Sequence, residues 1–447
     1  MTEEHPPIDP NDVRREVYST MHSLDRMRSS EAYGYVGAVV NGVRHTLDQA
    51  WALIEAGDGR NALTVLRAIT EEYLHEWENL DDSDGEASDF FSDMGAVWAE
   101  ALLSTDLTNK ERKTWADRLT KWQGEIDAYG VDDAFGIAAT AALQGWDYPP
   151  LQRVLQGTIT EGGAWEEDDV PGNADVITKA RLNILERRGR LQEYLYLAEA
   201  ERQTVAYVTM LVRLDRAPEA IAYGLEHIAT TEQALVLAQA LYEHGEREEG
   251  LHMADRALVL EGHKANLAKW LRDQALAMNR PEMALSAAEQ AFRAEVSLVN
   301  YQQVAEIAGE QWAGRRTALL EYIRSKRSSN QQGVVDIFLH EELLDDAIAA
   351  LKPYAGHTLT EQVVDVVLKA QSHLDWVIQT SREQAEYIMD GGKSSYYYSA
   401  GKWLSRARTA YQAAGRNGDW QAYLSELLSK HGRKRNFVPI LKDLARR

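Results

Sequence analysis

The stretch PEMALSAAEQAF, residues 281–292, carries small side chains at Ala284, Ala288 and Ala291. Steps of four and three residues bring these alanines onto one face of an α-helix. A face of small side chains allows a second helix to approach closely. The stretch therefore predicts a helix that packs against a neighbouring helix along most of its length.

The same spacing recurs in two upstream stretches, EEGLHMADRAL (248–258) and PEAIAYGLEHI (218–228). The corresponding residues are Gly250, Ala254 and Ala257 in the first stretch, and Ala220, Gly224 and the larger His227 in the second. The starting positions are 34 residues apart in one case (284 − 250) and 30 in the other (250 − 220). A 34-residue helix–turn–helix period resembles that of tetratricopeptide repeats, in which antiparallel helix pairs stack into an α-solenoid.

The helix expected before each of these stretches gives a mixed match to that repeat. Ala238, twelve residues before Gly250, supplies the small residue expected where the two helices of a pair meet. Arg272 occupies the equivalent position before Ala284. We therefore predict repeat-like helix pairs rather than consensus repeats.

The stretch YYYSAGKWLSRARTAYQAAGR, residues 396–416, mixes aromatic and basic residues. Such a mixture suits either a nucleic-acid surface or an amphipathic helix that buries its rings. The small and aromatic residues recur on one helix face, formed by Tyr396, Ala400, Trp403, Ala407 and Tyr411. We therefore expect these rings in the core, together with Trp420, Leu424 and Leu427 of the next helix.

The composition predicts an all-α protein. Helix-forming residues outnumber β-branched ones, only 10 prolines occur in 447 residues, and no convincing alternation of apolar and polar residues indicates a strand. The predicted fold class is an all-α α-solenoid of tetratricopeptide-like antiparallel helix pairs with an N-terminal helical unit. The expected divisions are a disordered lead (1–11), the N-terminal unit (12–156), a linker around Pro171 (157–174) and the solenoid (175–447).

The charge and the lack of cysteine limit the possible partners and locations. There are 48 Lys and Arg against 70 Asp and Glu, a formal net charge of −22 that repels phosphate backbones and anionic lipids. No apolar run reaches the ~18–20 residues of a membrane span. No cysteine is present for disulfides or thiolate zinc ligands. These features predict a soluble, cytoplasmic protein that does not associate with membranes.

Local patterns that resemble catalytic or metal-binding motifs lack essential residues. HEELL (340–344) has Leu344 where a zinc-protease helix needs its second histidine. The acidic stretch LDDSDGEASDFF (80–91) has Leu80 and Phe91 at the first and twelfth positions of a calcium loop. We find neither a glycine-rich phosphate loop nor a nucleophile elbow. The expectation is a non-enzymatic protein without catalytic residues, metal or cofactor.

Long phrases of the sequence resemble the helical region that follows the zinc finger in bacterial SWIM zinc-finger proteins. They include ALTVLRAITEEYLHEWENLDDSDGEASDFF (62–91), DYPPLQRVLQG (147–157) and VDIFLHEELLDDAIAAL (335–351), and the similarity runs from about Asp12 onward. The family's finger uses Cys-x-Cys followed by Cys-x-His, so this cysteine-free chain inherits no zinc ligand. The resemblance implies a helical region with no assigned catalytic residues.

The predicted function is a protein-interaction scaffold or adaptor that binds a protein or peptide partner on a concave surface lined by the first helix of each pair. By analogy with the repeat, the outward residues of those helices are Arg202, Thr209, Arg213, Gln239, Tyr242, Glu243, Lys269, Asp273, Lys402, Thr409 and Gln412. The same residues would suit a face that is merely solvated.

The alternative function is an accessory nucleic-acid-binding module at the basic C-terminal segment. Seven Lys or Arg lie between Lys430 and Arg447, against one acid, Asp443. The contact residues would be Arg406, Arg408, Arg433, Lys434, Arg435, Arg446 and Arg447. The simpler interpretation, favoured by the net charge, is that these cations complement a helix C-terminus before a short capping helix. A helical enzyme is a third possibility, which would need a deep pocket with convergent acids.

Overall fold

The computed structural model describes residues 6–24, 35–80, 82–166, 170–172, 174–325, 330–351 and 357–446. In these ranges the regular secondary structure is helical, and the β-type pairing is limited to an isolated bridge between Thr230 and Glu261. The predicted all-α class is therefore confirmed.

The chain divides into two compact units, Met1–Ile228 with Gln239–Arg247, and Ala229–Ala238 with Glu248–Arg447. The predicted linker, 157–174, lies within the first unit. The division of the chain into domains at this linker stays a prediction. The predicted lead overlaps α1 by two residues, because this helix begins at Pro10.

The first unit contains α1 (Pro10–Met21), α2 (Val36–Glu55), α3 (Gly59–Glu76), α4 (Glu86–Ser104), α5 (Asn109–Ile126), α6 (Gly136–Gln144), α7 (Pro149–Leu155), α8 (Ala174–Arg187), α9 (Leu191–Ala200), α10 (Thr204–Arg213) and α11 (Ala217–His227). Helix α12 (Thr231–Glu243) contributes residues to both units. The second unit continues with α13 (Arg247–Ala257), α14 (Lys264–Ala277), α15 (Pro281–Ala294), α16 (Leu298–Ala308), α17 (Trp312–Ser325), α18 (Gln331–His340), α19 (Leu344–Leu351), α20 (His357–Lys369), α21 (Leu374–Asp390), α22 (Tyr397–Ala413), α23 (Asn417–His431) and α24 (Val438–Arg446).

Helix α4 forms the centre of the N-terminal part of the first unit, where it packs against α2, α3, α6 and α8. Trp98 of α4 is fully buried, and its indole N–H donates to the hydroxyl of Thr70, 2.9 Å away. At Gly95, a Cβ atom would lie 1.8 Å from the carbonyl oxygen of Ala134, so only glycine permits this close approach. A helix that is buried nearly all round belongs to a globular core.

Two of the three repeat-like stretches pack against the preceding helix as the sequence predicts, α11 against α10 and α15 against α14. The small residues at the repeated positions are buried, namely Ala220, Gly224, Gly250, Ala254, Ala257, Ala284, Ala288 and Ala291. His227, the larger residue in the series, is exposed and stacks on Tyr223 at a ring distance of 3.9 Å. Arg272, at the small position of α14, is almost buried and hydrogen-bonds Gln303 of α16.

The helices of the second unit stack in a regular way. Consecutive helices pack as pairs, including α14 with α15, α18 with α19, α20 with α21 and α22 with α23. Alternate helices also lie side by side, α16 with α18, α18 with α20, and α20 with α22. We call α14, α16, α18, α20 and α22 the first helices of this unit. Contact between each pair and the next is the defining feature of an α-solenoid, so the predicted architecture is confirmed here.

The aromatic residues of the last pairs lie mostly where the sequence predicts. Trp403, Tyr411 and Trp420 are 4%, 2% and 2% exposed. The prediction is wrong for Tyr396, which is 56% exposed because the chain forms a 3-10 turn, Ser394–Tyr396, before α22 begins. Tyr397 occupies the buried position instead.

Candidate partner-binding surfaces

Six of the predicted partner-binding residues belong to the first unit, and three of these lie on or near α10. Arg202 lies in the turn before α10, with φ at +53°, and not on the helix face expected for it. Thr209 donates its hydroxyl to the carbonyl of Val205, 2.8 Å away. Arg213 forms an ion pair with Glu186 of α8 at 2.6 Å. Thr209 and Arg213 are thus already engaged within the unit.

The other three residues of the first unit lie at the C-terminal end of α12. The ring of Tyr242 is half-buried and lies 5.5 Å from the guanidinium of Arg247. Gln239 is half-buried and Glu243 is exposed, and neither side chain hydrogen-bonds another residue in the described part of the chain. These two side chains keep their polar groups available to a partner.

Two predicted residues of the second unit lie on α14. The amine of Lys269 forms an ion pair with Glu295, at the end of α15. Asp273 accepts a hydrogen bond of 2.7 Å from Nε of its neighbour Arg272, and it remains exposed. Because Asp273 is exposed, its ion pair with Arg272 contributes little to stability. A cation of a partner could therefore take the place of Arg272.

The last three predicted residues lie on α22 and are exposed. The amine of Lys402 lies 5.2 Å from the ring centre of Tyr398, which is itself exposed. Thr409 donates to the carbonyl of Ser405 at 3.0 Å. The side chain of Gln412 hydrogen-bonds no other described residue.

A set of polar contacts that the sequence did not predict joins first helices to one another. Gln332 of α18 donates to the amide oxygen of Gln362 of α20 at 2.9 Å. Gln362 donates in turn to Asp336 of α18 at 2.8 Å, and Asp336 also accepts from Gln332 at 2.9 Å. We call these three residues the amide ladder. It aligns α18 with α20 and leaves an edge of polar groups on the layer of first helices.

Arg406, a residue of the nucleic-acid alternative, joins the next two first helices. From α22 it donates to Asp365 at 2.5 Å and to Glu361 at 2.6 Å, both on α20. The hydrogen bond to Asp365 is the main reason that the pKa of Arg406 is raised above its usual value. Two carboxylates therefore already neutralise this guanidinium, which reduces its attraction for phosphate.

The remaining cations of the nucleic-acid alternative fall into two groups. Arg408 is half-buried, and Lys434 donates to the carbonyl of Met389. Arg447 lies outside the described residues. Arg433, Arg435 and Arg446 are exposed and form no ion pair with another described residue. Arg435 and Arg446 line a cavity of about 450 Å³ together with Lys442, a residue that the sequence analysis did not select.

The HEELL stretch has a structural role. Glu341 accepts a hydrogen bond of 2.7 Å from the hydroxyl of Tyr301 and one of 2.5 Å from Nε of Arg316. Burial, followed by the hydrogen bond to Glu341, raises the pKa of Tyr301. In the described ranges, no group of three or more His, Cys, Asp or Glu side chains is placed to hold a metal ion.

None of the helices described above is both long enough and apolar enough to pass through a bilayer.

No protein-family model matches the sequence, and no curated protein does either. Among solved structures, the chain is similar to human IFIT1, a dimer with PPP-AAAA, at 12% identity over 95% of this chain and 96% of that chain, with a TM-score of 0.22. It is similar to a circular tandem repeat protein with novel repeat topology, at 13% identity over 98% and 97%, with a TM-score of 0.21. It is also similar to the APC/C hetero-tetramer Cut9–Hcn1, at 12% identity over 92% and 90%, with a TM-score of 0.21.

These neighbours are tetratricopeptide-like repeat proteins. The assignment of helix pairs in this chain rests on its own buried small residues and helix contacts.

Proposed function

We propose that this protein is a non-catalytic interaction scaffold whose first helices bind a protein or peptide partner. The observation that supports this proposal is the layer of first helices in the second unit, where α16, α18, α20 and α22 follow one another side by side. In stacked-repeat proteins, layers of this kind form extended surfaces that bind protein or peptide segments.

The proposal includes the narrower features inferred from the sequence. These features are the concave form of the surface, the cytoplasmic location and the relationship to the helical region of SWIM zinc-finger proteins. The long phrases quoted above support that relationship, although no family model matches the chain. The eleven predicted residues are the proposed contacts. Four of them have side chains that form no hydrogen bond or ion pair with another described residue, namely Arg202 and Gln412, which carry donors, and Gln239 and Glu243 on α12; the amine of Lys402 contacts only the ring of Tyr398.

The test compares two variants of the full chain that carry the same change in net charge. The first-helix variant combines Lys269→Ala, Asp273→Ala, Lys402→Ala and Gln412→Ala. The second-helix variant combines Arg256→Ala, Glu282→Ala, Gln421→Ala and Lys430→Ala, at exposed positions of α13, α15 and α23. Affinity purification from cells followed by mass spectrometry identifies the partners of each.

The expected result is that a reproducible partner of the wild type is lost from the first-helix variant and kept by the second-helix variant. Cross-links between that partner and α14–α22 should then map to first helices. Equal recovery of every partner by both variants would contradict the proposal. Circular dichroism confirms that both variants keep the helicity of the wild type, so that a loss of binding is not a loss of fold.

The second candidate function is the nucleic-acid-binding module, and a specific observation favours it. Arg433, Arg435 and Arg446 are cations without an ion-pair partner in the described part of a chain whose net charge is −22. A filter-binding titration with single-stranded RNA tests it, because binding through phosphates weakens steeply as salt rises. Retention of the RNA on the filter at about 50 mM salt supports this candidate, provided that the retention is lost when these three arginines are replaced by glutamine. No retention at that salt concentration excludes it.

A further inference from the structure

The first unit contains a cavity that the proposed scaffold function does not use. It has a volume of about 410 Å³ and lies against α1, α3 and α5, with Arg14, Arg60, Arg67, Leu63, Leu107 and Trp115 among its lining residues. Cavities of roughly 300–1,000 Å³ are typical of small-molecule sites in proteins. All of these residues lie within one unit, and none is among the predicted contacts.

Two of the three arginines are anchored by one carboxylate. Arg67 donates through Nε to Glu71 at 2.8 Å, and Arg14 pairs with the other oxygen of the same carboxylate. Burial alone would raise the pKa of Glu71, but the hydrogen bonds from Arg67 and Arg14 lower it below its usual value. Glu71 therefore fixes both side chains while the terminal N–H groups of Arg67 have no partner among the described residues.

The third arginine is held by the start of α5. Arg60 lies 3.2 Å from Glu111 and donates to the carbonyl of Asp106 at 3.1 Å. Glu111 is already committed to the helix cap, since it accepts hydrogen bonds from both the backbone N–H and the hydroxyl of Thr108. The backbone hydrogen bond is the main reason that the pKa of Glu111 is lowered to about 2. Glu111 also lines the cavity and is ionised at neutral pH, so it balances the charge of Arg60 and leaves Arg67 as the main cation available to a ligand.

The remaining wall of the cavity is apolar and carries a further donor. Trp115 is half-buried, and its ring lies 5.1 Å from that of Trp98. Its indole N–H donates to no other residue in the described ranges. Leu63 is buried and lines the cavity together with Leu107. The cavity therefore combines guanidinium and indole donors with aliphatic and aromatic surface.

We propose that this cavity binds a small organic anion, in which a carboxylate or phosphate group is attached to an apolar body. The unpartnered polar groups are donors, so they match a ligand rich in acceptors. Arginine favours carboxylate and phosphate because its fork of N–H groups fits two oxygens at once. Burial of the apolar part of the ligand against the leucine and tryptophan side chains stabilises the complex. An inorganic anion has no apolar part and lacks this contribution.

Isothermal titration calorimetry on the full chain tests the proposal with four probes. Phenylacetate and phenyl phosphate carry the two possible anions on the same ring, benzyl alcohol carries the ring without charge, and inorganic phosphate carries charge without the ring. Binding of at least one aromatic anion, tighter than that of benzyl alcohol and inorganic phosphate, is the expected result. The two aromatic anions distinguish carboxylate from phosphate. Failure of both to bind, or equal binding of benzyl alcohol, would overturn the proposal.

Three variants locate the binding. Arg67→Gln should weaken the preferred anion by about tenfold or more, because it removes a charge-assisted contact. Trp115→Phe keeps the apolar wall, removes the indole N–H and should weaken binding by a smaller factor. Arg293→Gln is the matched control, since Arg293 and Arg67 are both 45% exposed and both pair with a glutamate four residues away. Unchanged affinity in Arg67→Gln and Trp115→Phe would place any binding elsewhere and overturn the assignment.

Discussion

The N-terminal part of the first unit and the stacked pairs of the second unit use α-helices in two different ways. Helix α4 is buried nearly all round by four other helices, and Trp98 anchors it through Thr70. Helices α16, α18, α20 and α22 bury their neighbour-facing sides and keep an exposed edge. In the first arrangement, many helices share one core. In the second, stability is approximately the sum of contributions from each helix pair and from its contacts with adjacent pairs.

This difference predicts how far a local defect spreads. In a shared core, removing one side chain weakens every element that packs against it. In a stack, each pair depends mainly on the pair before and the pair after, so the damage stays close to the substitution. Equivalent substitutions in the two regions therefore test the comparison directly.

The largest effect is expected for Trp98→Ala, with Trp420→Ala as its counterpart in the stack. Both indoles are almost fully buried, and truncation of a buried Trp costs about 3–5 kcal/mol of unfolding free energy. Trp98→Ala also leaves Thr70 without its donor. Hydrogen exchange should show lost protection throughout α2, α3, α4, α6 and α8 in Trp98→Ala, but only in α21–α24 in Trp420→Ala. Spreading of the Trp420 defect to α14–α16 would contradict the nearest-neighbour description.

An intermediate effect is expected for Ala288→Leu, which tests the small-residue face of α15. Ala288 is 1% exposed where α15 packs against its neighbours, and added methylenes in a packed core cost about 1–3 kcal/mol. Ala294→Leu places the same side chain at an exposed position of the same helix and should change the unfolding free energy by less than about 0.5 kcal/mol. Urea denaturation of both variants measures the difference. Equal stability of the two would show that close approach at this face is not required.

The helix pairs were predictable because their signal is local. Ala284, Ala288 and Ala291 reveal a buried face through their spacing alone, without knowledge of the partner helix. The arrangement around α4 was not predictable in this way, since it has no period and depends on contacts between residues far apart in sequence. Gly95 illustrates this, because its requirement for glycine comes from Ala134 on a different element.

The candidate surface was less predictable than the fold for the same reason. The repeat pattern identifies which positions point outward, and all eleven of those selected are exposed or half-buried. It does not show which of these side chains already form ion pairs within the protein. Arg213 pairs with Glu186, and Lys269 pairs with Glu295. Tyr396 was misplaced because a turn of 3-10 helix shifts the start of α22, a change of one residue that moves a ring from the core to the surface.

A smaller effect is expected for Asp336→Ala in the amide ladder. Asp336 accepts from Gln332 and Gln362, and the loss of a half-buried acceptor of this kind costs about 1 kcal/mol. Hydrogen exchange should increase in α18 and α20 and remain unchanged in α14 and α15. Asp255→Ala is the control, because Asp255 is exposed and its carboxylate has no hydrogen-bond partner among the described residues. A similar change in both variants would show that the ladder does not hold these helices together.

The smallest effect is expected from the titration of His431, at the last pair of the stack. Burial lowers the pKa of His431, as do Lys434 and Lys430, while Asp390 and Glu386 act in the opposite direction. With its folded pKa below the usual value of about 6.5, the unfolded chain takes up this proton first as the pH falls. Unfolding free energy should therefore decrease as the pH drops through about 6.5 and level off below the folded pKa.

The substitution His431→Gln separates this contribution from all other titrations. Chemical denaturation at about pH 7.5 and 5.5 should show a smaller loss of stability in His431→Gln than in the wild type. The control His75→Gln changes an exposed histidine of the first unit. This variant should lose as much unfolding free energy between the two pH values as the wild type does. If the comparison of the two regions holds, the added hydrogen exchange at low pH in the wild type is confined to α22–α24, because protonation of His431 disturbs only the pair on which α24 packs. An equal pH dependence in wild type and His431→Gln would exclude a buried neutral histidine at this end.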